Sequence, residues 1–415
     1  MTKKRKTTGW WIGGTRGLDT NLIVITMFLI VFGLIMIYSA SYYKCSMSEA
    51  FGYDSMHFLK NQALMSVAGL VTMYGVSCIN YRFWKKKPIV ILALALSVIL
   101  TLILLIPALS ITANGATRWV KFGPISFQVA EPVKIAVIVS TAWLINKYGV
   151  QEIKWKKFRF KHWVITGAIA LPGVLLALFL GKISNNMSSA LIIAIIGVMM
   201  YFAWHPKSAL FYGGALLVGV LAVWYLSHLL NMDPEQLKLL AEEDFRIRRI
   251  IAWMNPYQYA SDTSYQSLQA LYAIGSGGLF GKGLGNSIQK LGSIPEPYND
   301  FIFAIVCEEL GVMGASLLML MYIYLLYRIF KIAQNAGDLF GRMLASGVFC
   351  HIGLQVVMNI AVVTGVMPNT GVTLPFISYG GTAVVFLLIE IGMVLNVGKL
   401  NQLEREEKQR MKKFR

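Results

Sequence analysis

Long apolar blocks separated by short polar connections run through most of the chain. Ten of them reach the roughly 20 residues that a helix needs to cross a bilayer: residues 19–40, 57–79, 88–109, 129–146, 162–181, 187–204, 208–230, 300–327, 342–366 and 374–397. The pattern predicts an all-α polytopic membrane protein of ten transmembrane helices, with membrane domain 19–398 between a basic segment 1–18 and a basic tail 399–415. One connection stands apart. Residues 231–299, between the seventh and eighth spans, form a loop far longer than the usual few residues, and loops of that length commonly carry function.

Composition agrees with this reading: 56% of the 415 residues are hydrophobic, 14% are charged and the mean hydropathy is +0.59. Net charge changes the picture only until its distribution is examined. The +18 balance could suggest nucleic acid, but 26 of the 38 Lys and Arg residues fall in segments that alternate with the spans. That bias places both termini in the cytoplasm and the 231–299 loop outside, and it accounts for the basicity without nucleic acid. The first block follows Lys3-Lys4-Arg5-Lys6 and is too long for a signal-peptide core, so it reads as a retained span. Four cysteines and five scattered histidines give neither a disulfide framework nor a metal-ligand spacing.

The long loop ends in Pro295-Glu-Pro-Tyr-Asn-Asp-Phe-Ile302, which sets Asp300 at the mouth of the eighth span. Asp is a good helix cap, and an ionisable group at a span mouth is equally a candidate functional site. Glu308 and Glu309 follow about 12 to 14 Å further along the same helix, turned about 80° and 180° from Asp300. At most Glu308 borders the same cavity, and Glu309 is expected to bond to a neighbouring helix. Cations surround this region in the predicted topology. Arg118 and Lys121 lie between spans three and four, and Glu131 and Lys134, three residues apart, share one face of span four. Within the loop, Phe245 to Met254 alternates arginines, among them Arg246 and Arg249, with apolar residues, the pattern of a basic amphipathic helix at a membrane surface.

Two further stretches carry irregular backbone. Gly275 to Gly285 invites comparison with a phosphate-binding P-loop, but Ser276 and Gly283 stand where the motif needs Gly and Ser or Thr, so a tightly turned loop is favoured. Met367 to Gly381 brings prolines, glycines and Ser378 to the outer membrane depth, where such backbone survives only if protein or a wet cavity satisfies it. The assembly is an outward-facing cavity with one well-placed carboxylate, several cations and access from the lipid. It suits deprotonation of a hydroxyl while an anionic leaving group departs.

At these residues the chain resembles the SEDS family of bacterial shape, elongation, division and sporulation proteins. The resemblance rests on Arg246 to Gly311, including Asn255-Pro-Tyr, Gly281-Lys-Gly-Leu-Gly285, Gln289-Lys290-Leu, Pro295-Glu296 and Asp300-Phe-Ile-Phe-Ala, and on Gly115 to Lys134 and Pro368 to Gly381. It implies a peptidoglycan glycosyltransferase that polymerises lipid II, the undecaprenyl-pyrophosphate disaccharide-pentapeptide, outside the cytoplasmic membrane. It also implies a class B penicillin-binding protein transpeptidase as partner, with other divisome membrane proteins and membrane lipids around it. The family's essential aspartate falls on Asp300, as general base. Arg118, Lys121, Glu131, Lys134, Arg246, Arg249, Gln289, Lys290, Glu296 and Ser378 are the expected substrate-binding residues. The chemistry leaves room for a divalent cation, magnesium or manganese, although no dedicated ligand cluster is visible.

The chain departs from the family pattern at Tyr298-Asn299, where His-Thr is usual, and at Asn185-Asn-Met-Ser-Ser189, where Pro-Asp-Leu-Gly-Thr is usual. Thr373 to Gly381 and the charged tail resemble the division and sporulation branch, which points to the septum. Two other readings remain open at this stage: a lipid II flippase, which needs polar groups at the midplane and on both sides, and a non-catalytic scaffold for the transpeptidase. Glu390, in the inner half of span ten, is the residue the polymerase reading leaves without a role.

Overall fold

The structure, a computed structural model, describes residues 10–113, 116–123, 125–149, 160–204, 227, 245–258 and 264–413. The seventh expected span, 208–230, lies outside the described residues apart from Ser227, as does 231–244 of the long loop. The helices are α1 (Thr20–Ser46), α2 (His57–Cys78), α3 (Lys87–Ile103), α4 (Ala130–Leu144), α5 (Phe160–Ser184), α6 (Met187–Trp204), α7 (Phe245–Met254), α8 (Tyr265–Ser276), α9 (Ile302–Asn335), α10 (Leu339–Val363) and α11 (Ala383–Lys413).

Among the described residues, α1, α9, α10 and α11 are long and apolar enough to span a membrane, and α3 with parts of α5 and α6 are shorter apolar helices. Their outer faces confirm the solvent they are built for. On α1, Val24, Phe28, Val31 and Ile35 recur every three or four residues and are about half exposed, whereas Leu22, Leu29, Met36 and Ile37 are fully buried. On α9, Val312, Leu320, Ile323 and Tyr327 are exposed in the same manner. Apolar stripes of this extent are unfavourable in water and natural against acyl chains. The chain is an integral membrane protein.

The expectation of an all-α fold needs one correction. Between α3 and α4 lies a three-stranded antiparallel sheet: β1 (Ser110–Ala113), β2 (Ala116–Phe122) and β3 (Ile125–Gln128), in that order. Ala113 pairs with Ala116, and Phe122 pairs with Ile125; in sequence, Asn-Gly between the first two is a dipeptide that favours hairpins. Ile111, Thr112, Thr117, Val120 and Ile125 supply the β-branched side chains that suit a pleated surface. The expected third span had absorbed β1's flank, because a short apolar run has no periodicity that separates strand from helix.

The eighth expected span is a broken helix. Within α9, Gly311 leaves helical geometry (φ 65°, ψ −168°), and the glycine-rich segment after α8 fits into the break. The amides of Lys282 and Gly283 donate to the carbonyls of Glu308 and Glu309, both at 2.9 Å, while Val312 and Met313 donate to the carbonyls of Gly278 (3.0 Å) and Leu279 (3.1 Å). Backbone groups freed by the break are thus satisfied by protein, as membrane depth requires. Glycine is needed on both sides of the contact: a Cβ on Gly281 would sit 2.2 Å from the Glu309 carbonyl oxygen, and one on Gly311 2.4 Å from the Gly281 nitrogen. The P-loop-like glycines are therefore a plug for a helix break.

The tenth expected span also starts later than its apolar pattern. Residues 364–382 run as irregular backbone containing Pro368, Pro375, Gly380 and Gly381, and α11 then continues unbroken through 399 to Lys413.

Candidate functional site

Asp300 sits in the turn just before the first helical residue of α9, and its surroundings come from four separate parts of the chain. Its backbone carbonyl accepts from Asn359 Nδ2 of α10 at 2.7 Å, and the same nitrogen holds the Val372 carbonyl, also at 2.7 Å. One amide thereby ties the mouth of α9 to the 364–382 segment. Gly371 of that segment lies against the carboxylate: a Cβ there would be 3.9 Å from Asp300 Oδ2. Its φ of +67° and its missing side chain keep the space beside the carboxylate clear.

The turn itself is clamped by aromatic rings. Tyr379 donates its amide to the Tyr298 carbonyl at 2.9 Å, and Phe58 of α2 packs on Tyr298 and Tyr379 with ring centroids 4.2 and 4.7 Å away. Gln62, one turn further along α2, accepts from the amides of Gly380 and Gly381 through its Oε1, at 3.3 and 3.1 Å.

Electrostatically, Asp300 is framed by two guanidiniums and one carboxylate. Burial pushes its carboxyl up to about 6, with Glu296 adding to the rise and Arg249 and Arg118 opposing it. Burial lowers both arginines; proximity of Arg249 lowers Arg118 further, and Asp300 raises each. The three groups therefore share one field. Arg118 Nε is buried with no hydrogen-bond partner, which leaves donor capacity at the site. Below α7, a cavity of about 60 Å³ lies between Arg249, Trp253, Leu268 and the 362–369 turn.

Each element delivers its residue for a local reason. On β2, the pairing with β1 shifts register between Thr117 and Trp119, so Arg118 sits at a bulge that re-aims its side chain; it is half-buried, while Lys121 further along is exposed. Helix α7 forms over the predicted basic amphipathic stretch. Its Ile251 and Ala252 are buried in the protein, and Trp253 Nε1 donates to the Gly365 carbonyl at 2.8 Å, so the helix packs on the protein's rim and holds Arg249 over the site. Arg246 lies on the same helix, but its side chain is outside the described residues.

The remaining expected residues fall elsewhere or are engaged. Glu131 and Lys134 form a buried ion pair at 2.9 Å in the first turn of α4, and the amide of Val129, two residues before, donates to the Arg118 carbonyl. Glu296 is exposed and accepts from Asn299 Nδ2 at 2.6 Å. Ser378 is buried, its hydroxyl oxygen accepting from the Leu374 amide at 2.8 Å. Lys290 is fully buried: it reaches Glu309 at 2.6 Å and Ser39 of α1 at 3.1 Å. The amide of Gln289 donates to Glu308, whose carboxylate also takes Lys282, the Ser287 hydroxyl and the Ile288 amide. Glu308 thus faces the glycine-rich plug, and Glu309 bonds to Ser39 on a neighbouring helix. Glu390 pairs with His351 of α10 at 2.8 Å, both buried.

Asn359 and Gln62, which fix the site's backbone, were not singled out from the sequence. Their signal was present, since each is an amide side chain within an apolar span, and such groups there hold irregular backbone or line cavities.

Among the described residues, no three His, Cys, Asp or Glu side chains converge on a point that could hold a metal. The charges nearest Asp300 include two arginines, which repel a cation, so this donor set does not make a protein-held metal centre.

Fold and site together define an integral membrane protein with an arginine-framed carboxylate at the mouth of a broken helix. Residues 19–403 match the family described as cell cycle protein, comprising FtsW, RodA and SpoVE, and the chain belongs to that family. It is 34% identical over 379 residues to a Geobacter metallireducens protein described as a probable peptidoglycan glycosyltransferase FtsW, covering 91% of this chain and 94% of the relative. It is 33% identical over 392 residues to stage V sporulation protein E of Bacillus subtilis, covering 92% and 98%. The fold is that of the rod shape determining protein RodA of Thermus thermophilus (TM-score 0.61, 23% identity, 92% of this chain and 96% of the other). A chain from a study of coordinated polymerization and crosslinking by a peptidoglycan synthase complex is also similar (TM-score 0.69, 23% identity, 92% and 98%).

Proposed function

We propose that this protein is a peptidoglycan glycosyltransferase that polymerises lipid II at the outer face of the cytoplasmic membrane, with Asp300 as general base. The observation that carries the reading is the placement of Asp300 at a helix mouth, its backbone tied by Asn359, the space beside its carboxylate kept clear by Gly371, and Arg118 and Arg249 in its field; burial raises the carboxyl to about 6. A base of that strength is still mostly ionised at neutral pH and takes a proton more readily than an ordinary carboxylate. In the reaction, the carboxylate removes the proton of the acceptor GlcNAc 4-hydroxyl as the oxygen attacks the anomeric carbon of the donor MurNAc. The bond to undecaprenyl pyrophosphate breaks, its electron pair leaves with the pyrophosphate, and the anomeric configuration inverts. Arg118 and Arg249 oppose the charge that develops on the leaving group.

The topology that fits this chemistry has ten spans, both termini in the cytoplasm and the 231–299 loop outside. The membrane domain is 19–398, flanked by the 1–18 segment and the 399–415 tail. A class B penicillin-binding protein crosslinks the product strands, and the names of the FtsW and sporulation relatives favour septal synthesis within the divisome. A transport reading would use polar groups within the spans, but the His351 and Glu390 pair there is enclosed and mutually bonded, which favours a structural role. Reconstitution of the protein on lipid II, with and without its transpeptidase, tests the proposal. Glycan strands from the wild type and none from Asp300→Asn support it; equal polymerisation by both would remove the base assignment, and translocation without glycan would favour the flippase.

A further inference from the structure

At the end of α9 opposite Asp300, a second polar cleft of about 270 Å³ opens between the last turns of α9, the extension of α11 and the strap that leads into α1. It is lined by Arg328, Lys331, Asn335, Asn401, Arg405 and Asp19, so three cations face one carboxylate. That carboxylate is committed twice: Asp19 Oδ1 caps α1 by accepting from the Leu22 amide at 2.9 Å, and Oδ2 accepts from Arg328. Two acids on the same extension are engaged elsewhere, Glu404 with Arg82 and Glu406 with Arg16. Among the described residues, neither Lys331 nor Arg405 has a carboxylate within salt-bridge reach; Arg405 donates only to the neutral Asn335, and Lys331 lies over the Tyr327 ring. Arg328 Nε is buried without a hydrogen-bond partner.

The wall of the cleft is built rather than incidental. Buried Lys399 donates to the carbonyls of Ile12 (2.7 Å) and Gly14 (2.6 Å), pinning the strap, and a Cβ on Gly17 would lie 3.3 Å from the Lys399 carbonyl oxygen. The strap continues into the body through Ile12, whose amide donates to the Cys78 carbonyl at 2.7 Å. The cleft lies where α1 enters and α9 leaves the apolar zone, the depth of lipid headgroups.

We infer that this cleft binds the phosphate of an anionic phospholipid headgroup, in the leaflet opposite Asp300. Lys331 and Arg405 supply charge without an acidic partner, Asn401 and Asn335 supply neutral polar groups, and the volume suits a headgroup rather than a lipid-linked saccharide. Basic pockets between spans hold such headgroups, each cation being worth about fivefold in binding. A free phosphate offers the same chemistry, but the depth of the cleft favours the lipid.

The test is native mass spectrometry of the full-length protein, delipidated and titrated with dioleoylphosphatidylglycerol or dioleoylphosphatidylcholine. Wild type should prefer the anionic lipid, and Lys331→Gln with Arg405→Gln should lower that preference about 25-fold, from the same per-cation value. Lys331→Arg should retain it. A matched control on the tail, Lys408→Gln with Arg410→Gln, should leave it unchanged. Equal loss in the control, or no loss in the cleft variant while thermal unfolding shows it folded, would overturn the site. Displacement of the lipid by millimolar inorganic phosphate would overturn the lipid assignment.

Discussion

Three carboxylates lie within ten residues at the mouth and in the first turns of α9, and the structure treats them in opposite ways. Glu308 and Glu309 are fully buried and saturated: each has a lysine at 2.6 Å, and serine or backbone donors fill the remaining sites. Asp300 keeps a partly exposed edge, meets its arginines through a shared field, and is held at its backbone by Asn359 rather than at its carboxylate. Saturation fixes a charge in place and leaves it chemically idle. An undersaturated carboxylate in a scaffold this rigid retains affinity for a proton, and the Glu308 and Glu309 network supplies part of that rigidity by binding the glycine-rich plug to the same helix.

The largest effects should separate the two kinds of carboxylate. Asp300→Asn is expected to lower the rate of lipid II polymerisation by about 10²- to 10⁴-fold, the usual worth of a general base, measured as glycan product from reconstituted protein. Its stability should move the other way. Because the folded carboxyl is raised to about 6 from 3.8, its favourable contribution is complete below the unfolded value and is lost as pH rises through about 6. At neutral pH the ionised group therefore weakens the fold, and the asparagine variant should be more stable by about 3 kcal/mol. A fall in melting temperature would mean that the carboxylate serves as a structural cap.

Lys290→Met tests the saturated partner. It strands Glu309 without its cation in a fully buried position, and breaking such a pair costs about 3 to 5 kcal/mol. Thermal unfolding in detergent should show a large drop, while the folded fraction should keep the wild-type dependence of rate on pH. A pH profile that shifts with Lys290 would break the comparison, because it would place that lysine in the field of Asp300.

The third expectation concerns that profile. With ionised Asp300 as base, kcat/KM should rise about tenfold per pH unit below about 6 and level off above it. Arg118→Gln should lower kcat/KM by about 10- to 100-fold. It should also move the midpoint upward, since Arg118 opposes the rise of the Asp300 carboxyl. A lower rate at an unchanged midpoint would assign Arg118 to the leaving group alone.

Much of this arrangement was legible in the sequence because membrane helices announce themselves through apolar length, because Asp300 and Arg118 are charged groups close to spans, and because Arg249 lies in a basic amphipathic stretch. What escaped was irregular backbone. The glycines of 275–285 showed that a turn was needed but not that it plugs a break at Gly311, since that partnership depends on four backbone hydrogen bonds between segments some thirty residues apart. The sheet carrying Arg118 escaped because a strand of four to seven residues beside an apolar span has no period of its own. Lys290 and Lys134 read as site cations from their positions, yet both are buried in ion pairs; only three-dimensional placement distinguishes a lysine that neutralises a glutamate from one that awaits a phosphate.

The smallest expected effect probes that distinction on a single strand. Arg118 and Lys121 are three residues apart on β2, but Arg118 stands at the bulge in the pairing with β1 and is half-buried, whereas Lys121 is in the open. If register decides which cation serves Asp300, Lys121→Ala should change kcat/KM by less than about threefold, within the range of an exposed, screened charge. A loss as large as that of Arg118→Gln would require the exposed end of β2 to meet the substrate as well, and the site would then extend along the strand beyond the bulge.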